Sequence, residues 1–209
     1  MGNSMEKIIK YIKNKYDPLA IIVYGSYANG TNNLNSDFDA LVISARDTEF
    51  HDTSFADDVQ LDVFVYPSRF FEGEFECEDF VRIFDGIIVM DTDDVGVNLK
   101  NKVLAYIENK PEISKEQIAE DITWCVKMCD RVKRNDAEGL FRFHWLLVDS
   151  LEIFCNAVHQ MYRGPKKSLK WMQENHPEAF VCYQKALSDF SVQSLNAWVD
   201  YLQSLISGE

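Results

Sequence analysis

Asp37 and Asp39 stand two residues apart, just ahead of the apolar run Ala40–Ile43. On an extended strand, residues i and i+2 share a face, so the two carboxylates point the same way. Adjacent carboxylates repel unless a cation lies between them. Magnesium suits such a pair, because it takes one or two carboxylates and completes its shell with substrate phosphates and water. Asp62 sits inside VQLDVFVY, residues 59–66, where an unpaired charge is expensive. If the two strands are neighbours, Asp62 joins the other two carboxylates, with Gln60 and Phe64 on its face by alternation. Upstream, Gly25 and Ser26 close the apolar stretch Leu19–Tyr24. A turn there exposes backbone N–H groups and a hydroxyl able to cradle phosphate oxygens. Glycine lets the backbone come close or take positive φ, and Gly30 permits a second bend.

These residues need elements to hold them. The spacing of Ile8, Ile9 and Ile12 predicts a helix over 5–15, broken by Asp17-Pro18. Strands are predicted at 19–24, 37–44, 59–66 and 86–90. Residues 46–58 read as a polar connection, and 68–85 as a helix or irregular segment. Asp91, with Asp93 or Asp94, can cap a helix over 94–109. Further helices are predicted at 114–134, 137–162, 166–175, 177–188 and 191–206. Strands first and helices afterwards imply an α+β fold, a small mixed β-sheet core followed by an all-α helical bundle. The boundary is expected at 110/111, with a core domain over 1–110 and a helical domain over 111–209.

The chain has 209 residues, 46% hydrophobic and 13% aromatic, enough to bury a core. It has no 18-residue apolar run, so no membrane span is expected. The first fifteen residues lack the apolar centre of a signal peptide. Glu6 stands where an N-terminal acylation pattern calls for Ser or Thr. The five cysteines are odd in number and contain no CxxC pair, which predicts reduced core thiols in a cytoplasmic protein. Cys125 and Cys129, one helical turn apart, offer a metal site as the alternative. A net charge of −13 disfavours nucleic acid as a partner and favours a cationic one.

Gly-Ser, ten residues, Asp-x-Asp and then an aspartate in an apolar strand resembles the signature of the DNA polymerase β-like nucleotidyltransferase superfamily. The form GSYANGTNNLNSDFD, residues 25–39, is similar to the minimal and antibiotic-modifying branches, where Gly-Ser-x-Ala-x-Gly precedes Ser-Asp-x-Asp. The resemblance spans residues 19–66, with a fourth strand to 90. It implies that Gly25 and Ser26 hold the β- and γ-phosphates of a nucleoside triphosphate. Asp37 and Asp39 would bind two magnesium ions. Asp62 would bind the ion nearer the acceptor, or take the acceptor's proton. The implied reaction is in-line attack of an acceptor hydroxyl on the α-phosphorus, with ATP as the family's default donor and pyrophosphate leaving.

Strand core followed by helices also resembles, in architecture only, the kanamycin and streptomycin nucleotidyltransferases, whose helical part helps bind the acceptor. On helix 137–162, otherwise apolar around its circumference, Arg142, Asp149, Glu152, Asn156 and His159 form a polar stripe. The stripe reads either as an acceptor site, with Asp149 and Glu152 meeting a cationic molecule, or as a solvated face. His159 is a candidate proton shuttle. Lys166 and Lys167 open a helix, where cations oppose its dipole. They read as phosphate contacts or as a solvated loop. Trp124, Trp145, Trp171 and Trp198 read as core anchors. Two alternatives to a small-molecule acceptor remain. One is an antitoxin-like enzyme that transfers AMP to a protein, and the other is a silent nucleotide-binding module. No arginine is followed four to six residues later by histidine in the helical half, so the HEPN ribonuclease motif is absent.

Overall fold

Ile8 and Ile12 fall on one face of a helix over Gly2–Tyr16 (α1), and both are fully buried. They pack under a six-stranded sheet built from Pro18–Val23 (β1), Phe38–Ser44 (β2), Phe50–Asp52 (β3), Phe55–Ala56 (β4), Val59–Pro67 (β5) and Ile87–Asp91 (β6). A short helix, Gly25–Ala28 (α2), follows β1. The computed structural model describes residues 2–134 and 136–207. It divides into two units, Met1–Lys110 and Pro111–Glu209.

The strand order is β3-β5-β2-β1-β6, with β4 paired to β5. β2 and β5 run parallel, while the other pairs are antiparallel. Alternation gives the sheet two faces. One carries Val23, Ala40, Val42, Val63 and Val65 against α1. The other carries Ile22, Leu41 and Ile43. It is covered by two 3₁₀ segments, Ser68–Phe71 and Cys77–Ile83, and by the helix Val95–Asn109 (α3). Phe70, Phe71 and Phe80 meet Tyr66 there, and Phe75 packs edge-on against Phe71 and Phe80. Asp91 caps α3, accepting from the backbone N–H of Gly96 and Val97 at 2.9 and 2.8 Å. Asp93 and Asp94 instead take left-handed φ values of 57° and 58°.

The second unit is helical: Lys115–Val132 (α4), Ala137–Ala157 (α5), Gly164–Asn175 (α6), Pro177–Asp189 (α7) and Val192–Ser207 (α8). Ser114 and Asp136 cap α4 and α5, accepting from Gln117 and Gly139 N–H. At the centre of the core lies Trp198, fully buried, whose Nε1–H donates to Ser150 Oγ at 2.9 Å. Tyr183 donates its hydroxyl to the Leu147 carbonyl. Cys125, Cys129 and Cys155 are buried, and all five cysteines are free thiols. Burial pushes the Cys125 thiol up to about 12 and Cys129 up to about 11, as for thiols packed in a core. No helix among the described residues is long and apolar enough to cross a membrane.

The α+β class, a mixed sheet followed by helices, agrees with the sequence expectation. Several details differ. The polar stretch 46–58 contains β3 and β4, strands of three and two residues, too short for alternation to show in the sequence. Helix α5 stops at Ala157, not at 162. His159 takes φ 54°, its N–H donates to the Asn156 carbonyl, and the Gln160 N–H reaches the Cys155 carbonyl. That is a Schellman ending with His159 at the left-handed position, so this histidine terminates a helix. Nor is α5 apolar only toward a core. Leu140, Phe141, Trp145 and Val148 are exposed on it, and Trp145 anchors nothing central.

Candidate functional site

The chain leaves β1 at Tyr24, whose N–H donates to the Asp39 carbonyl at 3.1 Å and ties the turn to β2. Gly25 then takes φ +67°, and a Cβ at this position would overlap the Asp39 carboxylate. Glycine is therefore required twice, for the backbone conformation and for the closeness of Asp39. Ser26 follows as the second residue of the short helix α2. Its side chain is buried and its Oγ has no hydrogen-bond partner among the described residues. A buried hydroxyl without a partner is costly unless a ligand satisfies it.

The loop from Asn29 to Ser36 is bonded to itself. The Asn29 side chain accepts from Thr31 N–H at 3.1 Å, and Asn33 N–H donates to Ser36 Oγ at 3.0 Å. It delivers Asp37 to the start of β2. Asp37 lies just before the strand and is exposed, whereas Asp39 lies on it and is half-buried. In the parallel pairing of β2 with β5, Asp39 is opposite Asp62. One carboxylate oxygen from each of Asp37, Asp39 and Asp62 lies within 4.8 Å of the others. The apolar flanks of Asp62 suggested a buried carboxylate. Its side chain is in fact 33% exposed, because the aspartates sit where the apolar covering of this face gives out.

Tyr24 and Arg82 border the same place. Burial raises the Tyr24 hydroxyl well above its ordinary value, Arg82 opposes the shift, and the charges of Asp62 and Asp39 add to it. The Arg82 guanidinium lies 4.7 Å from the centre of the Phe64 ring. His51, which the sequence reading passed over inside a polar connection, has Nε2 at 2.5 Å from Asp62 Oδ1. The signal for it lies in pairing: His51 is opposite Phe64 across β3 and β5.

The site thus gathers Gly25, Ser26, Asp37, Asp39 and Asp62. Two features fit a divalent cation carrying a triphosphate. Three hard oxygen ligands converge, and Ser26, next in the chain to the Gly25 that lies against Asp39, has a hydroxyl with no partner among the described residues. The remaining candidates belong to the helical unit. Lys166 and Lys167 stand in the first turn of α6, after Gly164 at φ +76°. Asp149 and Glu152, with Asp121, Trp124, Trp145 and Asn156, line a recess of about 460 Å³ on α4 and α5. Arg142, another member of the stripe, is engaged with Glu138 at 2.6 Å.

Comparison with known proteins adds the family. A nucleotidyltransferase-domain family model matches residues 5–134. No curated protein matches the chain. Among solved structures, the chain is similar to a nucleotidyltransferase-like protein from Exiguobacterium sibiricum 255-15. The two are 14% identical with a TM-score of 0.42, over 99% of this chain and 74% of that one. It is also similar to a chain of a toxin–antitoxin structure with AMP-PNP, 19% identical with a TM-score of 0.36, over 56% of this chain and 97% of that one. With the family model covering more than half its length, and with the Gly-Ser turn and three aspartates in place, the chain belongs to the nucleotidyltransferase-domain family, within the polymerase β-like superfamily.

Proposed function

We propose that this protein is a magnesium-dependent nucleotidyltransferase that moves AMP from ATP to a hydroxyl of a small, cationic acceptor and releases pyrophosphate. The observation that carries the reading is the convergence of Asp37, Asp39 and Asp62, with the Gly25-Ser26 turn packed against Asp39. Asp37, Asp39 and Asp62 would hold the metal. Bound there, magnesium neutralises charge on the triphosphate and lowers the pKa of the attacking hydroxyl.

The chain's own residues do the rest. Gly25, without a side chain, lets the backbone approach the phosphates, and Ser26 Oγ–H donates to a phosphate oxygen. The acceptor oxygen forms a bond to the α-phosphorus as the bond from that phosphorus to the pyrophosphate oxygen breaks. The acceptor's proton passes to a carboxylate of the triad, with Asp62 the assigned base. The protein contributes position and charge stabilisation.

The recess in the helical unit supports a cationic acceptor. Asp121, Asp149 and Glu152 supply negative charge, and Trp124 and Trp145 supply aromatic faces that attract ammonium groups. An aminoglycoside-like polyol carries both the amines and the hydroxyls. Net charge −13 fits a partner that is not nucleic acid, and five free thiols fit the reducing cytoplasm.

The test is pyrophosphate release from ATP and magnesium, across a panel of aminoglycosides and other hydroxylated molecules. The expected result is release that depends on an acceptor and is lost in the Asp37→Ala/Asp39→Ala double variant. Undiminished release by that variant overturns the assignment.

A further inference from the structure

β3 is a three-residue edge strand, and each of its residues is engaged. Phe50 packs edge-on against Tyr16 of α1, with ring centres 5.4 Å apart. Asp52 is buried, and its carboxylate accepts from Lys15 Nζ at 2.9 Å, from the Tyr16 hydroxyl and from the Ser54 N–H at 2.9 Å. Both side chains fasten the strand to the α1 side of the sheet. Alternation then turns His51 to the opposite face, the face of Asp39 and Asp62. His51 is paired with Phe64, and its imidazole lies flat on the Phe64 ring, 4.1 Å between centres and 5° between planes. In that pose Nε2 is 2.5 Å from Asp62 Oδ1. The acceptor is a carboxylate oxygen, so Nε2 carries the hydrogen.

We propose that His51 is a positioning residue for the third carboxylate of the metal triad. Its Nε2–H, fixed in direction by the Phe64 stack and by the anchoring of β3, holds Asp62 in its place beside Asp37 and Asp39. Asp62 is the member of the triad most in need of this. It projects from β5, whereas Asp37 and Asp39 come from the start of β2. A carboxylate already oriented by a neighbour loses less freedom when it takes a cation, which is why residues behind metal ligands change metal affinity without touching the ion. The three-residue strand and its buried Asp52 then have a purpose at the site, to present one imidazole.

The proposal rests on the reading of Asp37, Asp39 and Asp62 as metal ligands. Its test is manganese binding to the full chain, followed by electron paramagnetic resonance in the presence of α,β-methylene ATP. His51→Ala is expected to weaken manganese binding by about 10- to 100-fold. His51→Gln, which keeps an N–H at similar reach, should stay within a few-fold of wild type. In an Asp62→Asn background, His51→Ala should cause no further loss, because the histidine acts only through that carboxylate. Thermal unfolding of each variant controls for the strand itself. Wild-type affinity in His51→Ala, or losses from His51→Ala and Asp62→Asn that add, overturns the positioning role while leaving the metal site standing. A wild-type chain that takes no manganese overturns the metal reading and this proposal with it.

Discussion

Ser26 carries a hydroxyl that the fold buries without a partner among the described residues, so its contributions to folding and to binding can be separated. Ser26→Ala removes an unsatisfied group, and stability should hold or rise, by up to about 1–3 kcal/mol, by thermal unfolding. The same change should weaken ATP binding by about tenfold or more, the loss of one charge-assisted hydrogen bond, as read by calorimetric titration. A destabilised Ser26→Ala with unchanged ATP affinity would show that the hydroxyl serves the fold. At this scale the clustering of three carboxylates was legible: the Asp-x-Asp spacing and an aspartate in an apolar run marked Asp37, Asp39 and Asp62, whose oxygens lie within 4.8 Å of one another, although Asp37 stands before β2 and not on it. His51 was not legible, because a lone histidine in a polar stretch has no periodicity to announce it. It becomes significant only through the β3–β5 register, which is a long-range fact.

Among the elements, β3 shows how a buried charge can hold a short strand. Asp52 is drawn toward neutrality by burial, but hydrogen bonds from Lys15 and Ser54 outweigh this and hold its carboxyl below the ordinary range. A depressed folded-state pKa means stability that is present above the unfolded value, about 3.9, and lost as pH falls through the folded one. Asp52→Asn should therefore cost about 2 kcal/mol at neutral pH in urea unfolding. The difference from wild type should shrink as pH falls below about 4. A constant difference across that range would mean that the charge of Asp52 contributes nothing. Helix ends were the least legible feature at this scale. Val158, Met161 and Tyr162 continue an apolar pattern past Ala157, and no glycine or proline marks the stop. The left-handed His159 does so instead, at a position where sequence preference would put glycine.

At the level of the whole molecule, each unit has its own core, one around the sheet and one around Trp198. The order of strands then helices was readable because hydrophobic period changes along the chain, from strand-like before residue 90 to helical after it. The family match does not stop where the first unit does. It runs to residue 134 and takes in α4, which packs with α5 and α8 in the helical unit. The family's domain therefore includes a helix that belongs, by packing, to the second core. Charge patterning could be read for the molecule but not for the recess on α4 and α5. That recess needs Asp121 and Trp124 beside Asp149 and Glu152, and these lie on two helices.

The claim on which everything else stands is that Asp37, Asp39 and Asp62 hold a divalent cation against a nucleoside triphosphate. It is tested most directly by titrating α,β-methylene ATP into the wild-type chain and into Asp37→Ala/Asp39→Ala, with and without magnesium. Wild type should bind in a magnesium-dependent way. The double variant should keep its unfolding transition and lose that dependence. Magnesium-dependent binding of equal strength in the variant would contradict the account.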